Sequence, residues 1–472
     1  MNTFSATLGV ALSAALLTAQ PAFADECTRP TDPGGAGSYE YGAATVNSFG
    51  NAHVLVWYAT DGPHAVKLES SRSDGVPDDV VKVADVTGDA LTRYTAMGFR
   101  PPLTDELSPD CGSNGGDARL DVYLVSMRGA DGTTVVESGR CASTSPAQCA
   151  SYILAKSDYA ESYATAEIGI RTVLPHETFH AVQNAYDAEL DRFWAEGSAQ
   201  WATKALYPAL TDLERNLPAF FSQSARSLDA PPGGVTAGFL YGSAIWPVFL
   251  SQRHGEAIVR SILETEAERG TSALVATDAV LQTMQSSLAE EFPRFAAWNA
   301  ATGARTGTGG YLNALDYPEV GVTELAGDRA QAITSGLASF YYHARRETPV
   351  LVELDTDPSR NRGLLLPFVN GLPQVDRATP LPAELLGEGI VVVSGITTSK
   401  KDAPFALTLS TAPTPSGDSS EASGGCALAG PPRSRQLPAS CALLFALCVA
   451  ARFRARRRSC ARAAKAADRT SP

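Results

Sequence analysis

His176-Glu177-Thr178-Phe179-His180 constrains this chain more than any other stretch. On a helix, positions i and i+4 share one face, about 5–6 Å apart. Two imidazoles so placed can hold one zinc ion, and Glu177 beside them can take a proton from zinc-bound water. The plain alternative is a helix that happens to carry two of the chain's six histidines. Periodicity within 163–186 predicts that helix, with Ile168, Val173, Phe179, Val182 and Tyr186 on its buried face. Pro175 stands just before His176. Proline is tolerated in the first turn, so the helix is expected to begin near Arg171 or Thr172; a much earlier start would kink it at the metal site.

A catalytic zinc site needs a third protein ligand. A metzincin would continue as HExxHxxGxxH, but Gln183 and Tyr186 occupy the glycine and third-histidine positions, which excludes that class. A gluzincin draws a glutamate from a second helix. Trp194-Ala195-Glu196-Gly197 opens a second amphipathic run, 194–207. Fifteen residues separate His180 from Glu196, room for the first helix to end, turn and return antiparallel. Glu196 is the favoured ligand. Asp187, Glu189 and Asp191 compete with it from a more polar stretch, and Glu196 also reads as an ordinary acid near a helix N-terminus.

The run from His176 to Gln183, followed by Trp194-Ala195-Glu196-Gly197-Ser198-Ala199, resembles gluzincin-type zinc metallopeptidases. It is more closely similar to a group of secreted bacterial metalloproteases with an HExxHxxQ helix. Segments 98–102, 119–124 and 241–246 extend the likeness over residues 40–300. The resemblance implies an α+β chain with a zincin-like catalytic domain, a mixed sheet plus active-site helices. It implies that His176, His180 and Glu196 hold Zn2+ and that Glu177 is the general base for attack of water on a peptide carbonyl. Zincins usually add a tyrosine or histidine donor to the oxyanion; Tyr241 is the first candidate and Tyr186 the second, with core packing as the alternative for either. Gln183, on the face of His176, is placed to orient a ligand or to cap a backbone group. His53, His64, His254 and His343 fall in strands, a turn and a helix end, and read as structural.

The two ends speak of export. Residues 1–24 read as a secretory signal, with an apolar run at 10–17 and Ala22-Phe23-Ala24 ahead of Asp25. A Pro/Ser/Gly-rich linker, 412–425, leads to Cys426, an apolar run at 437–453 and an arginine cluster from Arg452 to Arg458. That run is at the lower limit for spanning a bilayer. The tail, 426–472, resembles a myxobacterial sorting tail of the MYXO-CTERM type, which implies processing and lipid attachment at Cys426. The alternative is a plain tail anchor. Either way the chain is expected at the cell surface or outer membrane, or secreted. Residues 427–472 hold ten Lys/Arg against one Asp, so the body between signal and tail carries 28 Lys/Arg against 50 Asp/Glu. So acidic a body argues against nucleic acid as a partner. Its cysteines allow three pairings, of which Cys141–Cys149 with Cys27–Cys111 is preferred, and none has the spacing of a zinc ribbon.

Residues 25–320 form the expected metallopeptidase domain. One or two strands are predicted in 40–70, a helix at 76–94 begun by Pro77, strands at 120–126 and 150–155, then helices, clearest at 239–253, 256–268 and 273–298. The strand 150–155 is a candidate for the sheet edge that pairs with an extended substrate. Short strands at 338–343, 350–354, 363–369, 389–395 and 405–409 predict a small antiparallel β-sandwich domain over 321–411. Two functions of different class fit this plan: an exported, surface-anchored zinc metallopeptidase acting on polypeptides, or a catalytically inactive surface binding or adhesion protein on a metallopeptidase fold. The complete set of His176, Glu177, His180 and Glu196 favours the enzyme, because a decayed site would have lost a member.

Overall fold

Runs of β-branched and aromatic residues build a five-stranded mixed sheet: β1 (Val46–Gly50), β2 (Val54–Ala59), β3 (Leu120–Val125), β4 (Gly132–Thr144) and β5 (Ala147–Lys156). The computed structural model describes residues 28–34, 37–107, 115–234 and 236–411. The signal, Cys27, Cys111, the linker and the tail with Cys426 lie outside the described residues. In the sheet the order is β1-β2-β3-β5-β4, with β2, β3 and β5 parallel and the two outer strands antiparallel to their neighbours.

β3 is buried along its whole length because both faces of the sheet are covered. Leu120, Val122 and Leu124 pack with residues of helices α1 (Asp78–Ala96) and α2 (Ala166–Asn184). Tyr123 and Val125 point the other way, into a cluster with Tyr41 and Tyr152. The N-terminal segment closes this second face. The buried Arg29 guanidinium pairs with Asp105, Asp121 and Glu137, and the Tyr41 hydroxyl is shared between the carbonyls of Trp57 and Leu124.

The strand expected at 150–155 is β5, and it lies inside the sheet, so it is not the edge. The sheet's edges are β1 and β4, and the one beside α2 is β4, which the sequence pattern did not reveal. Its residues are largely polar, and its register against β5 slips between Val136 and Cys141, breaking the alternation that marks a strand. The Cys141–Cys149 disulfide joins the two strands directly across the ladder, as expected.

α2 begins at Ala166 rather than near residue 171, and Pro175 lies inside it. The Thr165 hydroxyl caps the helix by accepting from the Ile168 amide at 3.2 Å. Ile170, Val173 and Leu174 then bury the first turns against the sheet. That burial, at about 1.5–3 kcal/mol per large side chain, offsets the roughly 3 kcal/mol an interior proline costs. Ile168, assigned to the buried face, is 40% exposed.

The remaining helices are α3 (Arg192–Leu206), α4 (Asp212–Phe221), α5 (Ala237–Gly242), α6 (Ile245–His254), α7 (Ala257–Arg269), α8 (Ala273–Thr283) and α9 (Leu288–Ala300). Two expected helices are therefore four. The run 239–253 breaks at Ser243, whose hydroxyl contacts the Phe193 and Leu240 carbonyls, and 273–298 breaks around Gln285, which has a left-handed φ of 59°.

Residues 323–411 form an eight-stranded sheet: β6 (Thr323–Glu324), β7 (Arg329–Ser335), β8 (Ser339–Thr356), β9 (Asn361–Val369), β10 (Leu372–Pro373), β11 (Thr379–Pro380), β12 (Ala383–Gly395) and β13 (Asp402–Thr411). Its ladders are antiparallel except for β6 on β8. β8 joins the two strands expected at 338–343 and 350–354. Phe405 pairs in register with Thr356, sixteen residues beyond Phe340, yet the Phe340 and Phe405 rings lie 5.4 Å apart. An extended strand covers about 50 Å in that distance. β8 must bend, and the sheet folds back on itself around Val352, Leu365, Val391, Val393, Phe405 and Leu407. The chain is thus α+β, a mixed sheet with helices followed by an antiparallel sheet. The outer face of that second sheet offers Leu366, Ile390 and Val392 to the helical core, beside Phe292 and Phe295 of α9. Among the described residues no helix is long and apolar enough to cross a membrane.

Candidate metal centre

α2 and α3 return antiparallel through the turn at 185–191, and this brings three side chains to one point. His176 Nε2 lies 3.1 Å from His180 Nε2 and 3.1 Å from Glu196 Oε2, and the third side of the triangle, His180 Nε2 to Glu196 Oε2, is 3.4 Å. Ligand atoms 2.0–2.1 Å from a tetrahedral zinc stand about 3.3 Å apart. Two imidazoles and one carboxylate at that spacing fit zinc in chemistry and in size. Among the described residues these three are the one His/Cys/Asp/Glu group so disposed. Of the competing carboxylates, Asp187 accepts from the Glu189 amide, Asp191 accepts from the Ala273 amide at the start of α8, and Glu189 is exposed.

The packing behind the ligands explains their aim. Phe179, between the histidines in sequence, is fully buried among Tyr94, Phe99 and Trp201. That anchors α2 in the core against Tyr94 of α1 and Trp201 of α3. Gln183 does both of the things its position allowed. Its Oε1 accepts from His180 Nδ1 at 2.7 Å, while its Nε2 donates to the Ala195 carbonyl at 2.9 Å and to Ser198 Oγ at 2.8 Å. The first bond assigns the proton of His180 to Nδ1 and leaves Nε2 free as a ligand. The others clamp α2 to α3 within a turn of Glu196.

Electrostatics point the same way. Burial pulls the His180 imidazole down, but hydrogen bonding and charge from Glu196 outweigh it and hold His180 up at about 9. Burial likewise pushes Glu196 up, and its hydrogen bonds to His176 and His180 overcome this, holding it well below the usual carboxylate range. The spot favours a positive charge facing Glu196, the role a divalent cation fills.

Glu177 points from the same helix toward β4. Thr134 Oγ1 donates to Glu177 Oε2 at 2.9 Å and to the Glu177 carbonyl at 2.7 Å. Thr134 was not legible in the sequence, because its partner is 43 residues away and its strand carries no apolar alternation. Tyr241 of α5 sets its ring perpendicular to His176, with centroids 5.4 Å apart. Gly197 permits this: a Cβ there would stand 2.7 Å from Ser243 Oγ, so α5 approaches α3 only over a glycine. Burial, reinforced by Glu196 and Glu177, keeps the Tyr241 phenol strongly protonated. Tyr186 is elsewhere. It is buried, its hydroxyl accepts from the Arg100 amide at 2.9 Å, and the Arg100 guanidinium lies over its ring.

Of the other histidines, three are tied into the structure. His64 Nδ1 accepts from the Ser126 amide, His254 lies beside the buried Glu291, and His343 bridges Glu324 and Glu388. His53 is exposed.

No family model matches the chain, and no curated protein does. Among solved structures it is similar to PliG, a periplasmic lysozyme inhibitor of g-type lysozyme. The Aeromonas hydrophila and Salmonella Typhimurium proteins share 10% and 11% identity, each match covering 19% of this chain and 96% of theirs at a TM-score of 0.14. A mutant of the Escherichia coli protein shares 12%, over 19% of this chain and 99% of its own, at the same TM-score. Likeness of that extent bears on neither fold nor function.

Proposed function

We propose that this chain is an exported, surface-anchored zinc metallopeptidase. The observation that carries the reading is the ligand triangle of His176, His180 and Glu196 with Glu177 beside it. Zinc, when bound, would polarise a scissile carbonyl and acidify a water molecule. The chain's own groups supply the rest. Glu177 takes the proton of the attacking water and passes it to the leaving amide nitrogen. The Tyr241 hydroxyl donates to the oxygen that gains charge, a role suited to a phenol that stays protonated. β4, the open edge beside α2, offers unpaired backbone groups to an extended polypeptide. The disulfide supports an oxidising compartment, and the signal and tail read from the sequence support export and anchoring through Cys426.

Two variants test the proposal on the purified protein. Glu177→Gln retains about one zinc per chain and loses proteolysis by about a thousandfold or more. Glu196→Ala lowers zinc affinity by about tenfold to a hundredfold or more. Casein cleavage by the Glu177→Gln protein at the wild-type rate would show that the hydrolytic role is wrong. Tight stoichiometric zinc in Glu196→Ala would mean another group is the ligand. Zinc bound with no hydrolysis by the wild type would favour the inactive binding protein.

A further inference from the structure

We propose that Thr134, on the edge strand β4, is a positioning residue that fixes which oxygen of Glu177 faces the reacting water. The inference rests on the hydrolase reading of the site. Gly132 and Thr134 alternate on β4 and so present the same face of the strand. That face meets α2. A Cβ at Gly132 would stand 2.5 Å from Val173 Cγ1 and 2.9 Å from Glu177 Cγ, so the strand comes this close only because residue 132 is glycine. Two residues on, the approach delivers a hydroxyl to Glu177. Thr134 Oγ1 is bonded to Glu177 at two points, the main-chain carbonyl at 2.7 Å and Oε2 at 2.9 Å. Both residues are buried.

The two bonds share one hydroxyl proton and one anchor point. The carbonyl is fixed by the helix, so the hydroxyl is fixed against it, and Oε2 is fixed in turn. A glutamate has three side-chain torsions, and this tether removes the freedom of the last two. Among the described residues no other side chain hydrogen-bonds the carboxylate. Oε2 is thereby committed to the protein, and Oε1 is the oxygen left to meet water. The side chain is also short, with a single torsion between backbone and hydroxyl oxygen, so the donor stays close to the strand as a longer one would not.

Thr134→Val is nearly isosteric and removes the hydroxyl, while Thr134→Ser keeps it. With wild-type zinc content, Thr134→Val lowers kcat about tenfold to a hundredfold through misplacement of the base, with KM unchanged. Thr134→Ser stays within about threefold of wild type. Crystal structures give a readout that does not depend on turnover: the Glu177 carboxylate keeps its place in wild type and Thr134→Ser, and swings away in Thr134→Val. Should the valine protein fail to fold, Thr134→Ala replaces it in both arms. Wild-type kcat without the hydroxyl, equal impairment of Thr134→Ser and Thr134→Val, or an unmoved Glu177 overturns the proposal. An inactive wild-type holoprotein would instead refute the hydrolase reading, and the crystallographic arm would still decide whether Thr134 holds the carboxylate.

Discussion

Phe179→Ala tests how firmly the aromatic core holds α2, the helix that carries His176 and His180. Phe179 is fully buried, and its ring meets Tyr94 at 5.0 Å, Phe99 at 5.1 Å and Trp201 at 6.5 Å, each near edge-to-face. Truncating a buried phenylalanine costs about 3–5 kcal/mol in lost transfer energy and cavity. Each edge-to-face contact contributes about 0.5–1.5 kcal/mol beyond buried area, and the surrounding rings are too rigid to collapse into the space. The expected loss is therefore at the upper end, about 4–5 kcal/mol, a large part of the roughly 5–15 kcal/mol that holds a domain folded. Phe179→Leu refills most of the volume and is expected to cost about 1–2 kcal/mol. Guanidinium unfolding of the metal-free protein, followed by tryptophan fluorescence, gives the numbers. Zinc is left out because binding to the native state would add its own stabilisation. A loss below about 2 kcal/mol for Phe179→Ala, with an unchanged denaturant slope, would refute the reasoning that these rings form the anchor of α2.

Two further outcomes are expected. Glu266 on α7 is buried and is pushed up to about 8, first by burial and then by Asp191 and Asp187. A raised carboxyl contributes stability that is full below its ordinary value of 4.5 and is lost as pH rises through about 8. Glu266→Gln should flatten the fall of unfolding free energy across that window and leave the variant the more stable protein, by a few kcal/mol, at about pH 9; parallel stability–pH curves for the two proteins would contradict it. Cys426→Ala is expected to release the protein from the membrane fraction of its native host, whereas unchanged retention would favour a plain tail anchor.

Much of the site was legible in the sequence because its parts are local. HExxH carries its own geometry once helical, and Gln183 lies one helical turn beyond His180. Glu196 was legible as a favoured choice among four acids. Only the turn between α2 and α3, with Asp187 and Asp191 bonded to backbone amides, separates it from its competitors. The second tyrosine candidate, Tyr186, shows the limit of face arithmetic. It is on α2, but its hydroxyl is taken by Arg100 and its ring by the core. Pro175 misplaced the helix start because a propensity rule was set against the burial of Ile170, Val173 and Leu174, and burial won. β4 escaped because a bulged, polar edge strand has no period to detect.

The His176/His180 pair, the glutamate between them, the α+β order of elements and the acidic body could all be read from the chain alone, since each is a property of nearby residues or of composition. Tertiary structure decided which carboxylate closes the triangle, which strand is the open edge, that Tyr241 rather than Tyr186 stands over the site, and that Thr134 holds Glu177. Those choices depend on how far apart the chain brings residues that sequence separates. That distance is set by packing, here by Phe179 in its aromatic cage and by glycines at 132 and 197 that let a strand and a helix come close.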